Sequence, residues 1–221
     1  MGIAENYLKV RDSLPKEVTL VVACKKRSSE EVLEAISAGA TDLGENYVQE
    51  AEDMKSTLGE EAKKVKWHFI GKLQKNKVNR ALKAFDVIQT IDSLKLAKAV
   101  SKRAEKPVSV LIEINIGSEF TKSGVEPDFE NVKELAVEIS KLENLKLEGL
   151  MTMGPRFGNP EDSRPFFKKT KEIFEKLKAL EIPGVEMKTL SMGMSNSYQV
   201  AVEEGSNIVR VGTAIFGERS Y

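Results

Sequence analysis

The chain has 221 residues, 41% of them hydrophobic and 31% charged, which is typical of a globular protein with a full core. Lysine plus arginine and aspartate plus glutamate both number 34, so no net charge attracts nucleic acid or an anionic membrane, and we expect neither partner. The single cysteine, Cys24, excludes an intramolecular disulfide and favours a reducing compartment.

The N-terminal sequence MGIAENYLKVRDSL has no apolar run long enough for a signal peptide. It begins Met-Gly, but Asn6 stands where the myristoylation pattern needs serine or threonine. No run approaches the roughly 18 apolar residues of a membrane span. We therefore expect a cytoplasmic protein.

Short β-branched runs alternate with longer charged amphipathic stretches, a pattern that predicts βα units on a parallel sheet. A helix is predicted first, over residues 3–14. Eight strands follow, over residues 18–24, 41–44, 65–70, 87–90, 108–115, 145–151, 185–190 and 207–211. Each strand precedes a helical stretch, and these begin near residues 28, 47, 74, 92 or 93, 129, 162, 197 and 213.

Eight βα units favour a closed (β/α)8 barrel of the TIM type, in the α/β class, with an additional N-terminal helix. No linker, low-complexity tract or tandem repeat divides the sequence, so we predict a single domain over residues 1–221. A doubly wound open sheet is the alternative, because short strands such as the second are easily miscounted.

Functional residues of such barrels lie at the C-terminal ends of the strands, and the first predicted strand ends at Lys25. Strand alternation puts Val21, Ala23 and Lys25 on one face and turns Lys26 away from it. If that face lines the barrel, the Lys25 amine lies at the mouth above a small side chain, where a desolvated amine can attack a carbonyl. In the alternative, Lys25 only ends a strand and extends into water.

The last two βα turns have the composition of an anion site. SMGMSNS (residues 191–197) and VRVGTAIFG (residues 209–217) offer glycines for close backbone approach, hydroxyl groups, and free N–H groups at helix starts. Phosphate sites after strands seven and eight recur in this barrel, although the same residues also make ordinary turns and caps. Arg210 is predicted inside the barrel, where it needs a hydrogen-bond partner or a salt bridge with an acid such as Glu113.

Seven segments, in order, resemble the YggS/PROSC family of pyridoxal 5'-phosphate (PLP)-binding proteins, from the N-terminal helix nearly to Tyr221. They are VVACKK, GENYVQE, WHFIGKLQKNK, TKSG, GLMTM, SMGMSNS and VRVGTAIFG. The resemblance implies a fold similar to the barrel domain of alanine racemase, without the second domain of that enzyme.

Carried over by position, the resemblance makes Lys25 the residue that holds PLP as a Schiff base and places Arg210 against the pyridine nitrogen. The other implied contacts are with the phosphate and the ring. For the phosphate they are Gly193, Met194, Ser195, Gly212 and Thr213, and for the ring they are Asn46 and Met151. The resemblance leaves His68 between a pocket role and a buried structural role, and Lys122 in TKSG is a conceivable second reactive lysine.

The sequence departs from the family pattern around these positions. The family usually has serine before the lysine and Thr-Lys-Pro after it, whereas Cys24, Lys26 and Arg27 stand here. Asn196 and Ser197 replace the usual acidic pair after GMS. Neither change removes a residue that the chemistry requires.

An arginine cannot accept a proton, so a pyridine nitrogen beside Arg210 stays neutral and the ring is a weak electron sink. No tyrosine clearly replaces the opposite-face base that the second domain of racemases supplies. The resemblance therefore favours a PLP homeostasis protein that binds, stores or delivers PLP through Lys25, without substantial catalysis. PLP-dependent apoenzymes are the expected recipients. A small PLP-dependent amino-acid racemase is the alternative, and a barrel enzyme acting on a phosphorylated metabolite through a Lys25 imine is a third. Without the second domain, we expect a monomer.

Overall fold

The computed structural model describes residues 2–116, 123–154 and 158–218. Within these residues, eight parallel strands form a closed barrel in chain order, with the last strand hydrogen-bonded to the first. The strands are β1 (Thr19–Ala23), β2 (Asp42–Glu45), β3 (Lys66–Phe69), β4 (Val87–Ile91), β5 (Val108–Ile114), β6 (Leu145–Thr152), β7 (Val185–Ser191) and β8 (Ile208–Val211). The predicted α/β barrel is confirmed. The open-sheet alternative is wrong, because β1 pairs with β2 on one edge and with β8 on the other.

Helices follow each strand, and an additional helix precedes β1, as predicted. They are α1 (Ile3–Asp12), α2 (Ser29–Ser37), α3 (Val48–Leu58), α4 (Val78–Ala84), α5 (Leu94–Ser101), α6 (Phe129–Ser140), α7 (Arg164–Ala179), α8 (Tyr198–Glu203) and α9 (Thr213–Phe216). The N-terminal helix packs against the last one, where the Asn6 side chain donates to the carbonyl of Ile215 at 3.0 Å. The single domain over residues 1–221 stays a prediction.

Side-chain caps fix where several helices begin. The Ser28 hydroxyl accepts the backbone N–H of Glu31 at 3.3 Å, and the Glu31 carboxylate accepts the N–H of Ser28 at 2.8 Å. This reciprocal pair satisfies two amides that the first turn leaves without helical partners. Ser93 caps α5 by accepting the N–H of Leu96 at 3.3 Å. The caps explain why these two predicted boundaries lie within a residue of the observed ones.

Strand alternation divides the core into a layer under the helices and a barrel interior. Leu20 and Val22 of β1, and Cys24 directly after it, belong to the buried cluster beneath the helices. Val21 is also buried but faces the interior, where a β-carbon on Gly44 would lie 2.8 Å from its Cγ1 atom. The predicted two-residue period of β1 is therefore observed. None of the helices within residues 2–116, 123–154 and 158–218 could span a lipid bilayer.

Candidate functional site

A cavity of about 300 Å³ opens where the C-terminal ends of β1 and β8 meet. It brings together six of the nine residues predicted from the sequence, while Asn46, Met151 and Gly193 are not among its lining residues. The lining residues are Ala23, Lys25, Arg27, Met194, Ser195, Asn196, Arg210, Gly212, Thr213 and Glu218.

A tight turn after β1 directs Lys25 into this cavity. The Arg27 N–H donates to the carbonyl of Cys24 at 3.0 Å, and Lys26 adopts a positive φ of 57° between them. Lys26 is exposed, and its backbone N–H donates to the Glu50 carboxylate at 3.0 Å. The two adjacent lysines are thus separated: one lines the cavity and the other faces solvent.

The loops after β7 and β8 meet at the hydroxyl oxygen of Ser195. This oxygen accepts the backbone N–H of Gly212 at 3.1 Å and that of Ala214 at 3.2 Å. Gly193 shapes the first of these loops with φ +89°, and a β-carbon there would lie 2.6 Å from the β-carbon of Ala201. Two backbone donors that converge on one oxygen form the arrangement that binds a phosphate oxygen in many proteins.

The charge of the cavity lining favours an anion. Lys25, Arg27 and Arg210 contribute three cationic side chains, against the carboxylate of Glu218 in the lining and that of Glu31, which lies 3.2 Å from the Arg27 guanidinium. The sequence interpretation did not assign Arg27 to the site. Its guanidinium donates to the carbonyls of Phe216, at 3.3 Å, and of Gly217, so it ties the turn after β1 to the end of α9. In the sequence, Arg27 stands within the segment after Lys25 that departs from the family pattern, and this departure was the signal that could have identified it as a site residue.

Arg210 lies inside the barrel, with 4% of its surface exposed. It donates to the hydroxyl of Ser191 at 2.5 Å and to the backbone carbonyl of Thr152 at 2.8 Å. Between the described side chains of Arg210 and Glu113 there is no ion pair, so neutral oxygens replace the salt bridge that the sequence suggested. Burial lowers the pKa of Arg210 to about 10, and the nearby charge of Glu113 opposes that shift. The guanidinium therefore stays charged at neutral pH.

Asn46 follows directly after β2, and Met151 lies near the C-terminal end of β6; neither residue lines the cavity. The side-chain oxygen Oδ1 of Asn46 is buried and accepts no hydrogen bond from the residues described. A β-carbon at Gly71 would lie 2.1 Å from the Asn46 carbonyl, so only glycine allows β3 to end so close to Asn46. Met151 is fully buried and lies opposite Ser191 in the β6–β7 register.

Two buried carboxyl groups lie near the mouth: Glu45, to which the sequence assigned no role, and Glu113, which the sequence offered only as a partner of Arg210. Burial raises the pKa of Glu45 to about 8, the charge of Glu50 raises it further, and the charge of Lys25 opposes both. Burial likewise raises the pKa of Glu113 to about 7, although a hydrogen bond from the Ser123 hydroxyl lowers it. Glu45 is therefore largely protonated at neutral pH, which places little negative charge beside Lys25.

His68 lies inside the barrel and does not line the cavity. Its Nε2 atom is 2.8 Å from the Asp42 carboxylate, and its Nδ1 atom is 3.0 Å from the Gln89 amide nitrogen. Lys122 lies outside the described residues.

The described tyrosines do not supply a base at the cavity. Tyr7 donates to the carbonyl of Gly39 at 2.9 Å, beside the N-terminal helix. The Tyr198 hydroxyl lies 3.1 Å from that of Ser13, and the Tyr47 side chain is exposed. Tyr221 lies outside the described residues.

Comparisons with known proteins match nearly the whole chain. Residues 2–220 match the family described as alanine racemase, N-terminal domain. A pyridoxal phosphate homeostasis protein of Aquifex aeolicus (strain VF5) is 43% identical over 205 residues, which cover 91% of this chain and 87% of the relative. The structure of PipY from Synechococcus elongatus PCC7942 with PLP bound has a TM-score of 0.87 and 30% identity, covering 97% of this chain and 100% of PipY.

A more distant likeness concerns the fold alone. The alanine racemase of Clostridium difficile 630 is 16% identical, with a TM-score of 0.82. The match covers all of this chain but only 57% of the racemase, in agreement with the resemblance to one domain of that enzyme. On the family match and the identity with its relatives, the chain belongs to the alanine racemase N-terminal domain family and groups there with the pyridoxal phosphate homeostasis proteins.

Proposed function

We propose that this protein binds PLP at the barrel mouth through Lys25 and takes part in PLP homeostasis by binding, storing or delivering the cofactor. The observation that carries the proposal is the shared cavity of Lys25 and the two backbone donors that converge on Ser195. An amine and an anion site in one cavity match a cofactor with an aldehyde and a phosphate. The structure of PipY with PLP bound supports PLP as the ligand.

The phosphate end of the cofactor fits the loops after β7 and β8. Ser195 and the backbone of Gly193, Met194, Gly212 and Thr213 are the proposed contacts there. The Gly212 and Ala214 N–H groups hold the Ser195 oxygen as their acceptor, so the hydroxyl is fixed in place and its proton can be donated to a phosphate oxygen with little reorganisation. The Arg27 cation at the same end adds an attraction that is independent of hydrogen-bond geometry.

The ring end fits Arg210, Asn46 and Met151. The unpaired Oδ1 atom of Asn46 is an orphaned acceptor of the kind that a bound ligand satisfies. Bound PLP would supply an aldehyde to the Lys25 amine and a ring able to delocalise negative charge. Arg210 can only donate to the ring nitrogen, so it leaves that nitrogen unprotonated and the delocalisation weak.

Binding without substantial catalysis is the function that this arrangement supports best. A racemase needs a second base on the opposite face of the ring, and none of the described tyrosines lines the cavity. Delivery to PLP-dependent apoenzymes, a monomeric state and a cytoplasmic location complete the proposal. The balanced charge of the chain supports a small-molecule ligand in place of nucleic acid.

Lys25→Ala is expected to abolish covalent attachment of PLP, because no other lysine lines the described cavity. Purified protein is incubated with PLP, reduced with borohydride, digested and mapped for the pyridoxyl group by mass spectrometry. The wild-type label should map to Lys25. The matched control is Lys26→Ala, which removes the exposed neighbouring amine and should leave labelling unchanged. A label at another lysine, or equal labelling of the Lys25→Ala protein, contradicts the proposal.

Ser195→Ala is expected to weaken PLP binding about tenfold, the effect of losing one hydrogen bond to a charged group. Pyridoxal, which lacks the phosphate, is the control ligand, and its affinity should change less than twofold. Both dissociation constants can be measured from the absorption change on binding. An equal loss for the two ligands would place the phosphate elsewhere.

A further inference from the structure

A continuous row of hydrogen bonds crosses the inside of the barrel and ends at the cavity. The Arg210 guanidinium lies 2.5 Å from the Ser191 hydroxyl, which lies 2.7 Å from the Gln89 side-chain oxygen. The Gln89 nitrogen lies 3.0 Å from Nδ1 of His68, and Nε2 of His68 lies 2.8 Å from the Asp42 carboxylate. We call these five side chains the lumen relay.

The relay connects the two ends of the barrel through its buried interior. Gln89 and Ser191 are fully buried, and His68 is 2% exposed. Asp42 is the first residue of β2, at the N-terminal end of the barrel, whereas Arg210 lines the cavity at the C-terminal mouth. In such an interior a mismatched donor or acceptor is costly, so each link constrains the next.

The chemistry of the two ends fixes the direction of every hydrogen bond. Arg210 can only donate, so the Ser191 oxygen accepts from it and gives its own proton to the Gln89 oxygen. The Gln89 amide nitrogen therefore faces His68, whose Nδ1 atom must accept. His68 then carries its proton on Nε2 and donates it to Asp42.

Asp42 is suited to be the accepting end. Burial raises its pKa, but hydrogen bonds from His68 and from the Thr41 hydroxyl, with the charge of Lys66, lower it below the ordinary value. Asp42 is therefore a carboxylate at neutral pH and offers no proton to His68. The donor at one end and the acceptor at the other therefore require the same direction of hydrogen-bond donation, from Arg210 to Asp42.

We propose that the lumen relay is a positioning device for the cofactor: it holds His68 in the Nε2–H form and aims the Arg210 guanidinium at the ring nitrogen. His68, Gln89 and Ser191 are positioning residues that act through Arg210 and do not touch the cofactor. The part that concerns the ring nitrogen rests on the proposed function. The part that concerns His68 does not.

The first measurement uses the protein without PLP. His68 is the only histidine, so ¹⁵N labelling of histidine gives the signals of a single ring. The wild-type spectrum at neutral pH should show a protonated Nε2 and an unprotonated Nδ1. In Gln89→Glu the carboxylate can only accept, so both ring nitrogens should become protonated between two acids. A wild-type ring with a proton on Nδ1 overturns the proposal.

Thr90→Val is the matched control. Thr90 adjoins Gln89, is 2% exposed, and has a hydroxyl without a hydrogen bond to the residues described. The substitution changes the same strand without touching the relay, so the His68 spectrum should stay like that of the wild type. An equal change in Thr90→Val and Gln89→Glu would assign the effect to general disturbance of β4 and overturn the proposal.

The second measurement uses Ser191→Ala, which adds no charge to the barrel interior and therefore serves where Gln89→Glu, with a buried carboxylate, does not fold. This variant should leave His68 in the Nε2–H form, raise the dissociation constant of PLP about three- to tenfold, and shift the absorption band of bound PLP. If the wild type binds no PLP, the proposed function fails while the His68 spectrum still decides the relay. If Ser191→Ala binds PLP with unchanged affinity and absorption, the relay is core packing only and the proposal is overturned.

Discussion

Gly149→Ala is expected to lower the free energy of unfolding by more than about 4 kcal/mol, the range reached when a substitution forces a closed core apart. A β-carbon at this position would lie 1.8 Å from the carbonyl oxygen of Thr189 on the neighbouring strand, where backbone and not a flexible side chain must move. The β6–β7 register shifts between Leu147 and Gly149, so the glycine marks the irregularity that brings the strands this close. Because the barrel is closed, β7 cannot move away without disturbing β8.

Urea unfolding followed by circular dichroism measures this loss. Gly184→Ala is the matched control, because Gly184 also has a positive φ, of 80°, but its β-carbon would meet nothing closer than the Ser140 carbonyl at 3.5 Å. The control should lose only about 1–2 kcal/mol, the cost of a left-handed backbone for alanine. A loss in Gly149→Ala no greater than in the control would show that the two strands separate easily.

Glu45→Gln is expected to stabilise the protein at alkaline pH, by about 2–5 kcal/mol at pH 9. In the folded protein the pKa of Glu45 is about 8, against 4.5 ordinarily, so the unfolded chain releases the proton first as pH rises. The wild type should therefore be most stable below pH 4.5 with respect to this group and lose stability up to about pH 8. Glutamine stays neutral at every pH and cannot contribute this loss.

Unfolding free energies of both proteins between pH 5 and pH 9 check the prediction. The difference between variant and wild type isolates Glu45 from other titrating groups, including Glu113, whose pKa is about 7. Near pH 5 the two proteins should differ by less than about 1 kcal/mol. Glu60→Gln, at an exposed acid, is the control and should follow the wild-type curve. A constant difference across the range would mean that Glu45 ionises as easily in the folded state as in the unfolded chain.

Local patterns in the sequence were sufficient to predict the barrel and the face of β1 that leads to the cavity, although β1 ends at Ala23 and Lys25 lies in the turn that follows. The two-residue period places Ala23 toward the cavity and Cys24 toward the helices, and the cap at Ser28 fixes the start of α2. Both features depend only on residues that are close together in the sequence. The glycines and hydroxyls of the last two turns also indicated an anion site, because their composition is itself the signal.

Contacts between distant segments could not be predicted in the same way. The hydrogen-bond partners of Arg210 depend on how β8 aligns with β6 and β7. No pattern within β8 indicates that Arg210 bonds to Ser191 and not to Glu113. The position of Gln89 depends on a register shift in β4, between Ile88 and Ile91, that a strict alternation does not describe. The role of Arg27 depends on packing against α9, near the other end of the chain.

The cavity lies on the seam where the two ends of the polypeptide are joined, since β1 and β8 border it and Arg27 reaches across to the carbonyls of Phe216 and Gly217. A molecule that contacts both sides of this seam closes a loop of nearly the whole chain, the contact with the largest entropic cost of formation. A ligand bound in this cavity is therefore expected to stabilise the closed barrel as a whole, because it bridges the junction at which the first and last strands meet.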